Sequence, residues 1–364
     1  MIRTHLRLPA PLITLAGFTL AILFAITVAH LFRLPLELVG LPMFGAVTLA
    51  EAAKLSQTDL QRGVVETFIL ESYILDRAPL KSIEGNAYGY NEEASLPAVE
   101  FRAVNAAYAE STGTVNQKTE TLVILGGDAD VDTYIIKTRG NLNDQKATQT
   151  ALKVKAASYK LQDTFINGDV AVDANAFDGL KKRLVGGQVI SAATNGLPII
   201  GADSAARHAF LDKLDELIAS VPGLTGDNGA LYLNDLVKAK IMGSARREHI
   251  ATTTVDDFGK TTDRYRGIPL IDVGQKADGT RIIPQTETSG SSSITSSIYA
   301  AKFGQDEADR AVTMLYNGPE SVFDVRDLGE LQAKPSERVR IEGFIGMALF
   351  GGKAAGRLTG VLAS

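Results

Sequence analysis

The clearest helical periodicity in the chain lies between residues 146 and 166. Leu152, Tyr159 and Ile166 recur at sevens, and Val154, Leu161 and Phe165 widen the stripe. One apolar face at this period predicts an amphipathic helix, about 30 Å long at 1.5 Å per residue. Asn143 or Asp144 is placed to cap its start, and Asn167-Gly168 its end. The chain restarts at Phe177-Asp178-Gly179-Leu180. None of these residues is arranged for chemistry. The segment reads as a structural spine that hands the chain to a second lobe.

Before the spine the pattern is different. Thr48 and Glu51 form a capping box for a helix over 49–62, and Pro79 ends whatever continues from it. Residues 81–121 lose helical period. Tyr88 and Tyr90 flank Gly89, and Phe101, Val104 and Tyr108 are scattered among polar residues, Gly, Asn and Pro. This predicts a long, extended β-hairpin. Such a hairpin is marginal alone in water. Tyr88, Tyr90, Phe101, Val104 and Tyr108 are therefore the candidate assembly-interface residues, to be covered by a neighbour such as another subunit. Residues 121–125 and 132–137 read as a strand pair joined through Gly126-Gly127-Asp128.

After the spine, Asp203 or Ser204 starts a helix with Phe210, Leu214, Leu217 and Val221 on one face. Residues 229–233 read as a strand, and Asn234 caps a helix carrying Val237, Ile241 and Ala245. Further strands are expected at 268–273, 281–284, 297–303 and 311–316, with a flexible loop at 286–293. Residues 337–350 alternate strongly enough for one or two strands returning to the first lobe. Helices mix with mostly antiparallel strands and no βαβ rhythm, so the class is α+β.

Composition narrows the function. The chain has 364 residues, is 45% hydrophobic and 22% charged, and carries a formal net charge of −5. That balance suits a globular protein and gives no bulk attraction for nucleic acid. The absence of cysteine excludes disulfides, thiolate metal sites and cysteine nucleophiles. The N-terminus is anomalous: Arg3, His5 and Arg7 precede an apolar run over 8–32. Its length suits a membrane-spanning helix or an uncleaved anchor. The competing reading takes residues 1–42 as an upstream extension and Met43 as the working start.

Candidate chemistry does not cohere. Asp128, Asp130 and Asp132 alternate like the start of a calcium loop, but Thr133 and Arg139 stand where Gly and Glu are required. The expectation is a solvated turn. Asp257-Phe258-Gly259 has no accompanying kinase motif, and Gly351-Gly352-Lys353 lacks the rest of a phosphate loop. The four histidines have no metal spacing. Lys181-Lys182-Arg183 and Arg246-Arg247 read as solvated basic faces. No acid, base and nucleophile set emerges. The expectation is no enzyme, no metal and no cofactor.

From residue 43 onward the order of parts resembles the major capsid proteins of tailed bacteriophages, with the Hong Kong 97-type capsid fold. AEAAKLSQTDLQRGVVETFI is similar to their N-terminal arm, and LKSIEGNAYGYNEEASLPAVEFRAVNAAYAEST to their extended E-loop. SYKLQDTFINGD followed by FDGLKKRL is similar to the spine helix and its exit. GALYLNDLVKAKIMGSARRE resembles parts of the axial domain, and ERVRIEGFIGMALFGGKAAGRL the closing strands of the peripheral domain. The resemblance implies an arm at 43–80, an E-loop at 81–121, a peripheral domain at 122–185 and 310–364 with its spine at 146–166, and an axial domain at 186–309. Axial contacts would come from 201–293.

The resemblance also implies a function. Copies would self-assemble as pentamers and hexamers into an icosahedral shell around double-stranded DNA, bound without sequence specificity. A separate scaffolding protein and a portal are the expected partners. The virion is the expected location, after assembly in the host cytoplasm. An encapsulin-like compartment shell and a membrane-anchored β-rich surface protein are the alternatives. Residues 1–42 fit no shell subunit of the family, which favours Met43 as the working start. Deleting 86–110 is expected to leave a folded, assembly-defective subunit.

Overall fold

The computed structural model describes residues 73–139, 145–249, 252–255, 261–317 and 322–364. The expected helix at 49–62, the apolar run at 8–32, the caps Asn143 and Asp144, and Asp257 lie outside the described residues.

The chain enters through strand β1 (Leu80–Ser82). The hairpin follows as β2 (Ala87–Ser95) and β3 (Thr114–Thr121), antiparallel and in register from Ala87↔Thr121 to Ser95↔Thr114. Strand β4 (Val123–Asp132) runs straight on. It passes through Gly126-Gly127 instead of turning there. A Cβ on Gly126 would collide with the carbonyl oxygen of Ile341 on the facing strand, so glycine permits the close pairing. Residues 133–139 form a short helix, α1 (Thr133–Arg139), and not the expected strand. The Asp132 carboxylate accepts from the Tyr134 N–H at 2.7 Å and turns the chain out of the sheet.

The spine is α2 (Gln145–Asn167). Its buried face is carried by Val154, Leu161, Phe165 and Ile166, as the periodicity predicts. Leu152 departs from that prediction and is exposed. At the spine's exit the Gly168 N–H donates to Thr164 O, and the Gly179 N–H donates to Gly168 O. A Cβ on either glycine would strike backbone, so this crossing admits only glycine. Helix α3 (Leu180–Arg183) restarts the chain, with Leu180 fully buried.

The second lobe contains β5 (Val189–Ser191), β6 (Leu197–Pro198) and α4 (Ser204–Ala219), which is capped by Asp203 accepting from the Ala206 N–H. Next come β7 (Gly229–Leu233) and α5 (Asp235–Arg247), capped by Asn234. Then follow β8 (Thr252–Val255), β9 (Thr261–Tyr265), β10 (Ile268–Asp272), β11 (Glu287–Ser289) and β12 (Ser292–Lys302). The expected flexible loop at 286–293 is instead the β11–β12 hairpin, turning at Gly290. The expected strand at 281–284 is reduced to a bridge between Gln275 and Arg281, with Ile282 and Ile283 buried.

The chain then returns through β13 (Val312–Tyr316), β14 (Phe323–Glu330), β15 (Ser336–Leu349) and β16 (Ala355–Leu362). One sheet runs β1-β13-β15-β14, with β4 also on β15. The second sheet has nine strands, along the path β5-β16-β12-β7-β10-β9-β8. Residues 355–362, grouped by the resemblance with the peripheral domain, join this second sheet. Small residues permit it: a Cβ on Gly356 would sit 2.8 Å from Ser220 Oγ beside α4. Several pairings are parallel, including β1–β13 and β10–β7, so the sheets are mixed.

The centre of the second sheet is buried on both faces. Ala230, Tyr232, Tyr299 and Ala301 point into the core shared with the spine, where Phe165, Tyr232 and Phe303 meet edge to face or tilted. Leu231, Leu233, Ile298 and Ala300 point into the core under α4 and α5. Burial on both faces explains why residues 229–233 read as an unbroken apolar run. A third, small core gathers Ile83, Tyr90, Leu315, Ala348 and Phe350 at the hairpin base.

Candidate assembly surface

The five candidate interface residues separate into two groups. Tyr88 and Tyr90 sit at the hairpin base, where the chain holds its own hairpin. The Tyr90 ring is buried, meets Phe350 edge to face at 5.0 Å, and its hydroxyl donates to Leu349 O at 3.0 Å. Burial pushes its phenol well above the usual range. Tyr88 receives the Lys81 ammonium at 3.1 Å and donates to Glu307 Oε1 at 2.8 Å. Both rings are thus engaged within their own subunit. Phe101, Val104 and Tyr108 lie on the tip between β2 and β3 and are exposed, Phe101 completely.

The tip is nevertheless shaped. The Ala109 N–H donates to Glu100 Oε1 at 2.7 Å, and the Arg102 guanidinium lies 5.2 Å from the centre of the Tyr108 ring. Below it, Lys118 on β3 pairs with Glu92 on β2 at 2.6 Å. The hairpin base is fixed to the spine's exit by Arg183, whose two terminal nitrogens reach the two Glu120 oxygens at 2.5 and 2.7 Å. Lys181 and Lys182 pair with Glu287 and Asp169. Lys181 and Lys182 are exposed, as a solvated basic face implies, while Arg183 departs from that reading and is shielded in its pair with Glu120.

A second charged surface crosses β4 and β15. Asp128 faces Arg340, and Asp130 faces Arg338, as direct cross-strand partners. Arg340 grips Asp128 at 2.8 and 3.0 Å, and Arg338 grips Asp130 at 2.6 and 2.8 Å. Lys334 adds 2.6 Å to Asp130. The arginine hydrogen bonds hold both carboxyls below the usual carboxylate range. The alternating aspartates thus belong to a paired strand, not to the solvated turn expected from the sequence. At the start of the spine, Lys146 bridges Asp327 and Glu337 at 2.5 and 2.9 Å. Among the described residues no group of three or more His, Asp or Glu side chains is placed to hold a metal.

Two concavities open beside these elements. A cleft of about 660 Å³ lies between the hairpin base and the turn after β15, with Glu92, Glu307, Lys302, Arg310 and Lys353 on its walls. A smaller cavity of about 140 Å³ lies beside the spine, lined by Val123, Leu125, Leu161 and Phe177. Neither was legible in the sequence, because each is lined by segments distant along the chain.

The chain is similar in fold to several solved structures. The SrpI encapsulin of Synechococcus elongatus PCC 7942 matches at 17% identity with a TM-score of 0.59, covering 80% of this chain and 88% of that one. The capsid of a native GTA particle matches at 14% identity and TM-score 0.55, covering 80% of this chain and 90% of that one. Mycobacterium phage Bobi matches at 11% identity and TM-score 0.52, covering 79% of this chain and 89% of that one. No curated protein matches the chain by sequence. The fold defines the class: the Hong Kong 97-type capsid fold. Residues 57–208 match the family model described as major capsid protein GP7.

Proposed function

We propose that copies of this chain assemble as pentamers and hexamers into an icosahedral shell around double-stranded DNA. The observation that carries the reading is the hairpin tip. Phe101, Val104 and Tyr108 are displayed on a shaped segment that touches little of its own subunit. Exposed apolar side chains on an extended element call for a partner, and in a shell every subunit presents the same element to a neighbour. The role is structural and not catalytic. The net charge of −5 gives no bulk attraction for DNA, so the DNA would be enclosed and not gripped. Assembly would take place in the host cytoplasm with a separate scaffolding protein and a portal, and the axial contacts would come from 201–293.

The test is electron microscopy of the protein expressed with its neighbouring genes, with and without residues 1–42. Closed particles containing nuclease-protected DNA are expected. Closed particles filled with a protein cargo and free of DNA would favour the compartment reading that the SrpI likeness suggests. A monomer that fractionates with membranes would overturn both.

A further inference from the structure

Residues 100–102 on the hairpin tip read Glu-Phe-Arg, and the Phe101 ring is fully exposed. The cavity beside the spine has a volume of about 140 Å³. Leu161, Phe177 and Ile345 are its buried floor. An apolar cavity of roughly 150 Å³ takes one benzene ring. The cavity, whose lining joins this apolar floor to Thr164 and Asn175, has room for a single phenyl side chain, and is well short of the roughly 300–1,000 Å³ of a small-molecule site. Lys160 and Asp173 stand on its rim, 3.8 Å apart and about half exposed. Ile124, exposed on the lip, is the cross-strand partner of the part-exposed Phe344 and extends the apolar surface outward.

We infer that this cavity receives Phe101 of a second copy of the chain, with Glu100 set against Lys160 and Arg102 against Asp173. The inference rests on the shell reading above. Size and charge both favour this occupant: one ring fills the floor, and the two flanking charges complement the two on the rim. The tip's own cavity is out of its reach. Strand β3 contains eight extended residues and ends just before Val123 on the cavity wall. That places about 25 Å of rigid strand between cavity and tip, at about 3.3 Å per residue. The tip is also pre-shaped by the Glu100–Ala109 hydrogen bond and the Arg102–Tyr108 stacking, so docking orders little chain.

The chain contains no tryptophan, so Ile124→Trp, on the exposed lip of the cavity, supplies a single fluorescent reporter and leaves Phe101 in place. Its emission should shift to the blue, and resist acrylamide, when subunits assemble. Glu100→Gln, which keeps the acceptor for the Ala109 N–H, and Lys160→Gln should each cut particle yield about tenfold, and the double variant should be no worse than either single one, the signature of a coupled pair. Particles in which the reporter stays solvent-exposed would overturn the docking and leave the shell reading standing. A shielded reporter with losses that add up in the double variant would overturn the choice of cavity. Shielding that needs DNA or another coat protein would overturn the second copy as occupant. Failure of the wild-type chain to form particles beside its neighbouring gene products would sink the shell reading, and this inference with it.

Discussion

Arg183 and Glu120 join the end of the spine to the base of the hairpin by a two-pronged ion pair, with nitrogen–oxygen distances of 2.5 and 2.7 Å. Both side chains are largely shielded, and Glu120 also receives the Tyr90 hydroxyl at 3.2 Å. The hairpin's direction is thus set at its root, by a residue of the spine's exit. A projecting element aimed in this way can meet a neighbour at a defined place.

Removing Arg183 tests that relationship. Arg183→Ala should destabilise the subunit by about 1–3 kcal/mol, because it strands a half-buried carboxylate. Hydrogen exchange should rise along β2 and β3 while the spine stays protected. Uniform exchange across the whole molecule would instead mean that the pair supports the fold at large.

Tyr90 separates packing from hydrogen bonding. Tyr90→Phe keeps the contact with Phe350 and loses the hydroxyl proton shared between Leu349 O and Glu120 Oε1, a cost of about 1–2 kcal/mol. Tyr90→Ala empties the small core at the hairpin base and should cost about 3–5 kcal/mol. Denaturant unfolding of the two variants checks the ordering.

Acid should loosen the β4–β15 ladder. The folded carboxyls of Asp128 and Asp130 are depressed by their arginines. The stability they contribute is fully present above the unfolded carboxyl value of about 3.9, and it is lost as pH falls through the folded values. Asp130→Asn should therefore lower Tm by a constant amount at neutral pH, and the gap to wild type should close below about pH 4. A gap that persists undiminished at pH 2 would rule out the ion pairs as its cause.

The hairpin tip should be separable from the fold. Replacing residues 96–113 with a two-residue turn leaves β2, β3 and Tyr90 in place. The variant should keep its Tm and fail to form particles. The larger deletion of 86–110 would remove Tyr90 from its core, and the Asn86 carbonyl that accepts from the Leu122 N–H. It would confuse misfolding with failed assembly.

Gly126→Ala should be among the most damaging single-methyl changes. The added carbon collides with backbone of β15, which cannot move without breaking the ladder. A loss of about 2–4 kcal/mol is expected, measured by thermal unfolding against Gly187→Ala, whose added carbon meets open space.

The sequence by itself determined the elements whose pattern is local. The spine follows from apolar residues at helical spacing, and α4 and α5 follow from Asp203 and Asn234 accepting backbone N–H groups at their starts. The hairpin itself was legible from its sparse aromatics and turn residues. The order of these parts was enough to indicate a shell subunit. Tertiary structure decided the rest. Strand β14 is polar along most of its length and takes its place only because β15 offers an edge. Gly126-Gly127 reads as a turn until Ile341 is seen pressing on it. Asp128 and Asp130 become a ladder because Arg340 and Arg338, more than 200 residues away, arrive opposite them. Tyr88 and Tyr90 looked alike with Phe101, yet Phe350 claims the first two and, among the described residues, nothing covers the third. Periodicity encodes which face of an element is apolar. The identity of the surface that covers that face depends on contacts between distant segments, and the spacing of residues along the chain carries no record of them.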